Sequence, residues 1–72
     1  MSTRELLARN LKKYRQVAGM SQEELAHRAD IDRTYISSIE RCQYAASIDV
    51  VGRLALALDV APAALLEDRT KD

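Results

Sequence analysis

Phenylalanine and tryptophan are absent from this 72-residue chain, cysteine and proline occur once each, and glycine occurs twice. A single cysteine, Cys42, excludes an intrachain disulfide framework. One histidine and one cysteine exclude a Cys/His zinc cluster, so neither common staple of very small domains is available. The apolar content is carried mainly by Leu, Ile, Val and Ala, enough for one domain with one small core spanning residues 1–72. No apolar run approaches the length of a membrane span, and the N-terminal MSTREL is charged rather than signal-like. A lone thiol without an export signal points to the cytoplasm. No membrane contact, cofactor, metal or small-molecule ligand is expected.

The formal net charge is also zero, but its distribution is uneven. Residues 1–20 hold Arg4, Arg9, Lys12, Lys13 and Arg15 against Glu5 alone, while acidic groups exceed basic ones in the rest. A small domain can therefore carry a basic face on a neutral total. An ordinary solvated helix face would give the same count.

What is present is helix, with no strand signal. Ser2-x-x-Glu5 and Ser21-x-x-Glu24 read as capping boxes, with Met20 and Leu25 placed as a hydrophobic staple around the second. Leu7, Leu11, Tyr14 and Ala18 recur at helical spacing before Gly19, a natural stop. Asp32 is a good N-cap for a third helix, flanked by Ile31 and Ile36. Ser47 caps a fourth whose apolar face holds Ile48, Val51, Leu54, Ala55 and Leu58. Pro62 fits the first position of a short fifth helix ending at Leu65 and Leu66, followed by a polar tail over 67–72 that is expected to fray. The expected fold is all-α: a compact five-helix domain.

Successive residues of a helix are rotated by about 100°. On the third helix Ile36 and Ile39 therefore point one way, with Tyr35 and Cys42 on a flank. Thr34, Ser37 and Arg41 point the opposite way, beside Arg33 and Ser38. In the second helix, Ala26 and Ala29 are small where two helices must cross closely. A tight pair with a donor-rich second helix is what reading a DNA major groove requires. A solvent-exposed helix decorated with polar residues has the same pattern.

Residues 22–41, with Ala26 at the crossing and Ile31, Ile36 and Ile39 at the apolar positions, resemble the Cro/phage-repressor-type, or xenobiotic-response-element-like, helix-turn-helix family. "MSQEELA", "YISSIER" and "LALALDV" carry the resemblance, which runs from about Leu7 to Leu66. It implies a lambda-repressor-like fold and a DNA-binding transcription regulator or repressor. Such a protein acts as a homodimer on a pseudo-palindromic operator in double-stranded DNA, with helix 33–41 in the major groove. "RTYISSIER" further resembles the recognition helix of restriction–modification controller proteins. General small regulators also carry such a helix, and the fold serves as the DNA-binding antitoxin in some toxin–antitoxin pairs.

Carried over by position, the resemblance implies base contacts from Arg33 and Thr34 and a later one from Ser38. Tyr35 falls where controller-like members touch a phosphate or thymine. Gln22 falls on a residue that anchors a phosphate and braces the recognition helix, and Gln43 and Tyr44 on a loop position that touches the backbone. Ser37 and Arg41 share the outer face and are placed to reach phosphates. Arg15 and Glu40 match a buried structural ion pair, so Glu40 is expected to be structural. Arg33 is the expected specificity residue, because a guanidinium pairs bidentately with guanine.

Three departures stand out. Where the family favours glycine, this chain has Asp30, Cys42 and Asp59. Aspartate tolerates a left-handed backbone, whereas Cys42 is either strained or ends its helix differently. Ala46 replaces the family's proline, and "CQYAAS" lacks the usual basic residues, which predicts fewer phosphate contacts.

No acid, base or nucleophile arrangement presents itself, so an enzyme is not expected. The rival class is a protein–protein module, an antitoxin or adaptor, because the fold alone does not guarantee DNA binding. Such a module would place apolar residues where Arg33, Thr34 and Ser37 stand. For the homodimer, the expected patch is Val50, Leu56 and Ala57 on the shoulders of the fourth helix, with Ala63 and Ala64 nearby.

Overall fold

Each α-helix among the described residues starts at a side chain that accepts from its own first turn. A computed structural model of the protein describes residues 1–68; residues 69–72 of the polar tail lie outside the described residues. Helix α1 (Thr3–Val17) opens on a full capping box. Glu5 N donates to Ser2 Oγ at 3.2 Å, and Ser2 N donates to Glu5 Oε1 at 2.8 Å. Helix α2 (Gln22–Ala29) opens on Ser21, whose Oγ accepts from Glu24 N at 3.0 Å. Its box is half made, because the Glu24 carboxylate turns outward to accept from Arg28 Nη2 at 2.7 Å. Helix α3 (Arg33–Glu40) is capped by Asp32 and α4 (Ile48–Leu58) by Ser47.

The expected fifth helix is a single 3₁₀ turn, Pro62–Leu66, so the described residues hold four α-helices and no strand. A run this short gains too few i→i−4 bonds to favour an α-helix over the tighter 3₁₀ form. Ala64 N instead donates to Ala61 O at 2.9 Å, a bond one residue tighter.

All four helices leave by the same device. The residue after the last helical turn is left-handed at Gly19 (φ 71°), Asp30 (57°), Cys42 (60°) and Asp59 (58°). Each exit has paired bonds back to the helix, such as Cys42 N to Ile39 O at 3.0 Å and Gln43 N to Ser38 O at 2.8 Å. These are Schellman turns. The residue that follows is apolar and packed on the core at Met20, Ile31 and Val60, but is the exposed Gln43 after α3.

The core joins Leu7 and Leu11 of α1 to Leu25, Ala26, Ala29, Ile36, Ile39, Val51, Leu54, Ala55, Leu58 and Leu65. Ala18, expected inside, is exposed, because it sits where α1 has already begun to turn away. Ile48 is corrected more sharply: it is 89% exposed. It shares the angular position of the α4 core stripe but occupies the first helical residue, beyond the end of the layer that Val51 caps. Asn10, which periodicity did not single out, is buried among the leucines. Its Nδ2 donates to Leu65 O at 3.0 Å and Glu67 O at 2.8 Å, which fastens the 3₁₀ turn to α1. No helix among the described residues is long and apolar enough to cross a membrane.

Candidate nucleic-acid interface

The α2–α3 pair is built from small and branched apolar residues on facing sides. Ala26 and Ala29 are buried, and with Leu25 they pack in one cluster with Ile36 and Ile39. A small side chain at the crossing lets helix axes approach closely. Between the helices, Asp30 takes the left-handed turn and Asp32 restarts the chain. Thr34 N and Thr34 Oγ1 both donate to Asp32 Oδ1 at 2.8 Å. Those two bonds, the backbone one first, hold the Asp32 carboxyl below its ordinary pKa.

A buried polar network fixes α3 to the rest of the molecule. Arg15 Nε donates to Glu40 Oε2 at 2.6 Å and Arg15 Nη2 donates to Glu40 Oε1 at 3.0 Å, a bidentate pair. The side chains are 12% and 4% exposed. Gln22 Nε2 donates to the same Glu40 Oε1 at 3.1 Å, and Arg15 Nη1 donates to Met20 O at 2.9 Å. One carboxylate thus ties α1, α2 and α3 together. The hydrogen bond to Glu40 raises the Arg15 pKa further, against the opposing effect of burial. Glu40 is committed to this network, and Gln22 spends one amide proton on it.

The opposite side of α3 is open. Arg33, Thr34 and Arg41 are exposed, while Ser37 and Ser38 are half-buried between them. The Thr34 hydroxyl proton is already given to Asp32, so what it can offer a ligand is an acceptor oxygen and a methyl group. Tyr35 is 46% exposed, and its ring is partnered by Tyr44. The centroids lie 5.2 Å apart at an interplanar angle of 30°. The left-handed Cys42 returns the chain so that the exit loop folds back on its own helix, with Gln43 exposed beside it. Lys12 and Lys13 are exposed on α1.

Nothing local in the sequence signalled the Tyr35–Tyr44 contact or the bond from Arg53 Nη1 to Asp30 O at 3.4 Å. Both need the tertiary path of the chain. Of the residues expected in a dimer patch, Leu56 is 83% exposed and Ala63 is exposed. Val50 and Ala57 are half-buried against the core, and Ala64 is half-buried too.

What this arrangement can do is present a rigid helix with two arginines and short hydroxyl side chains to a flat or grooved anionic surface. No group of three or more His, Cys, Asp or Glu residues is placed to hold a metal among the described residues.

Known proteins share both the pattern and the shape. A family model described as helix-turn-helix matches residues 11–65. A hypothetical transcription factor of Neisseria meningitidis is 41% identical over 63 residues, covering 88% of this chain and 59% of that protein. The chain thus spans less than two thirds of that relative's length. Control protein C.SmaI of Serratia marcescens is 38% identical, covering 92% of this chain and 79% of that protein. The N-terminal DNA binding domain of SinR from Bacillus subtilis superposes with a TM-score of 0.86 at 32% identity, covering 93% of this chain and 99% of that one.

Proposed function

This chain belongs to the helix-turn-helix family, and from that premise we propose that it is a sequence-specific DNA-binding transcription regulator of the controller or repressor kind. It acts as one domain and as a homodimer on a pseudo-palindromic duplex in the cytoplasm. The observation that carries this reading is α3 itself. Its outer face holds Arg33, Thr34, Ser37 and Arg41 with no large apolar residue, while its opposite side is locked to α1 and α2. Rigidity behind and donors in front are the two requirements of a helix that reads base edges. A control protein and a DNA binding domain among its relatives support the same reading.

Roles follow from reach. Arg33, at the exposed start of α3, reads guanine through O6 and N7. Thr34 meets a thymine methyl or a base-edge donor, because its own proton is spent on Asp32. Ser38 makes a later base contact. Tyr35, Ser37, Arg41, Gln43 and Tyr44 touch the sugar-phosphate backbone along the flank and exit of α3. Gln22 offers a phosphate its remaining amide proton while bracing Glu40. Lys12 and Lys13 add to the electrostatic term.

A protein-binding adaptor or antitoxin is the other reading. It is disfavoured by the same surface, since an interface core is depleted in charge and built on aromatic and aliphatic anchors.

Selection from a random duplex pool tests the proposal. It should enrich a two-fold site whose half-site centres lie about 34–36 Å apart, one helical turn. Arg33→Ala should weaken the selected site by about 1–3 kcal/mol and relax one base-pair position in each half-site. Gln22→Ala should weaken all duplexes more evenly, and binding should fall steeply with salt. If no motif is enriched, or Arg33→Ala leaves the motif unchanged, Arg33 is not the base reader.

A further inference from the structure

A ring contact joins α3 to the loop that follows it. Tyr35, in the first turn of α3, and Tyr44, in that loop, have centroids 5.2 Å apart and planes tilted by 30°. This is an ordinary geometry for a favourable aromatic pair. The pair does not serve the core. Tyr35 is 46% exposed and Tyr44 37% exposed, and neither belongs to the core cluster or to the partly buried residues packed against it. Their chain neighbours Thr34, Gln43 and Ala45 are exposed as well. Two large rings thus meet at the surface, beside the outer face of the helix proposed to read DNA.

We propose that Tyr44 is a positioning residue for DNA binding, whose ring fixes the Tyr35 side chain before the duplex arrives. The inference rests on the DNA-reading role of α3 above. It moves Tyr44 from a backbone contact of its own to a brace for Tyr35. An exposed tyrosine on a helix has more than one staggered χ1 well open to it. Ordering such a side chain on binding costs entropy, which comes off the affinity. A neighbouring ring that already restricts it removes part of that cost in advance.

A brace must itself be held, and the exit loop is anchored at both ends. Cys42, at φ 60°, reverses the chain, with Cys42 N donating to Ile39 O at 3.0 Å and Gln43 N to Ser38 O at 2.8 Å. On the far side the Ser47 hydroxyl accepts from Val50 N at 3.1 Å and starts α4. Between these anchors Ala46 packs against the core. The loop from Cys42 to Ser47 carries no basic residue, so it has no charge with which to grip phosphates. The Tyr44 ring is its largest side chain, and that ring is turned to Tyr35.

The competing role is a direct contact from the Tyr44 hydroxyl to the sugar-phosphate backbone. That role needs the hydroxyl and is indifferent to Tyr35. A brace needs the ring, does without the hydroxyl, and has nothing to do once Tyr35 is removed. The two roles therefore separate by substitution.

The probe is the duplex that the wild-type chain selects from a random pool, titrated with each variant after circular dichroism has shown it folded. Tyr44→Ala should weaken binding by roughly twofold to tenfold, the loss expected when one more side chain must be ordered on binding. Tyr44→Phe, which returns the ring without the hydroxyl, should restore wild-type affinity. Tyr35→Ala should weaken binding, and adding Tyr44→Ala to it should cost nothing more, because the braced side chain is gone. A loss that came only from a loosened loop would persist without Tyr35. An equal loss from Tyr44→Ala in both backgrounds therefore overturns the proposal. So does weakened binding by Tyr44→Phe, or unaltered binding by Tyr44→Ala or Tyr35→Ala. A wild-type chain that enriches no duplex removes the DNA reading itself, and this inference with it.

Discussion

The two flanks of α3 are held by opposite kinds of chemistry. On one flank Glu40 is buried and takes three charged or amide donors from α1 and α2. On the other, Tyr35 and Cys42 face the exit loop, where an aromatic pair is more than a third exposed and a non-glycine residue sits at φ 60°. The first flank cannot shift without stranding a charge in the interior. The second can shift at modest cost, because water can solvate whatever it releases. A recognition helix held in this way is fixed in orientation along one edge and adjustable along the other.

The largest expected effect comes from breaking the buried flank. Glu40→Ala leaves the Arg15 guanidinium with no carboxylate at 12% exposure, and strips Gln22 of its acceptor. Loss of one partner of a buried pair costs about 3–5 kcal/mol. That is a large part of the stability available to a domain of this size. Urea unfolding measures it. Replacing both residues, Arg15→Met with Glu40→Leu, should cost much less, because no lone charge is left behind. If the single and double variants lose stability equally, the network acts as packing and not as a charge pair.

The contrast between the flanks also decides what sequence alone can convey. Caps were legible at Ser2, Asp32 and Ser47, because an N-cap oxygen and the backbone N–H that donates to it lie within three residues of each other. The α2–α3 pair was legible from small residues and an apolar stripe. Asn10 was not, although it lies three residues after Leu7 on the apolar side of α1. A polar residue there reads as an interruption until the distant carbonyls of Leu65 and Glu67 are brought to it. Ile48 failed for a related reason: angular periodicity says which way a side chain points, but not where along the axis the core ends. Tyr35 and Tyr44 meet through the turn at Cys42, whose backbone the sequence left open between two conformations. The base and phosphate contacts themselves rest on resemblance and reach.

The exposed flank offers a smaller effect of opposite sign. Cys42 is left-handed, where a Cβ costs roughly 1–2 kcal/mol, and Gly removes that clash. Glycine also gives the unfolded chain more freedom, which returns about 0.4–1 kcal/mol. Cys42→Gly should therefore stabilise by about 0.5–1 kcal/mol net, read from a thermal melt of the reduced protein. Asp59→Gly, at nearly the same φ of 58°, is the control. Aspartate bonds locally in this conformation and carries less strain, so its gain should be smaller. A loss of stability in Cys42→Gly rejects the strained exit and means that the thiol contributes more by packing than its backbone costs.

The smallest effect separates the flanks by pH. Asp32 has its pKa lowered by the hydrogen bonds from Thr34, and Glu5 has its own lowered by those from Ser2. A carboxyl whose folded pKa is depressed contributes stability that is fully present above its unfolded pKa, near 4. That contribution is lost as pH falls through the folded value. The start of α3 should therefore loosen on the acid side of about pH 4 and stay indifferent to pH above it. Arg15 moves the other way: its raised pKa keeps the guanidinium charged well above neutral pH, so this partner of the buried flank does not titrate there. Asp32→Asn keeps an N-cap acceptor while removing the proton equilibrium. Urea midpoints measured from about pH 5 to about pH 2.5 should fall less steeply in Asp32→Asn than in wild type, with the curves nearly parallel above about pH 5. Identical acid limbs in the two proteins would mean that the Asp32 cap is equally strong protonated and ionised, and that the acid sensitivity of this domain lies elsewhere.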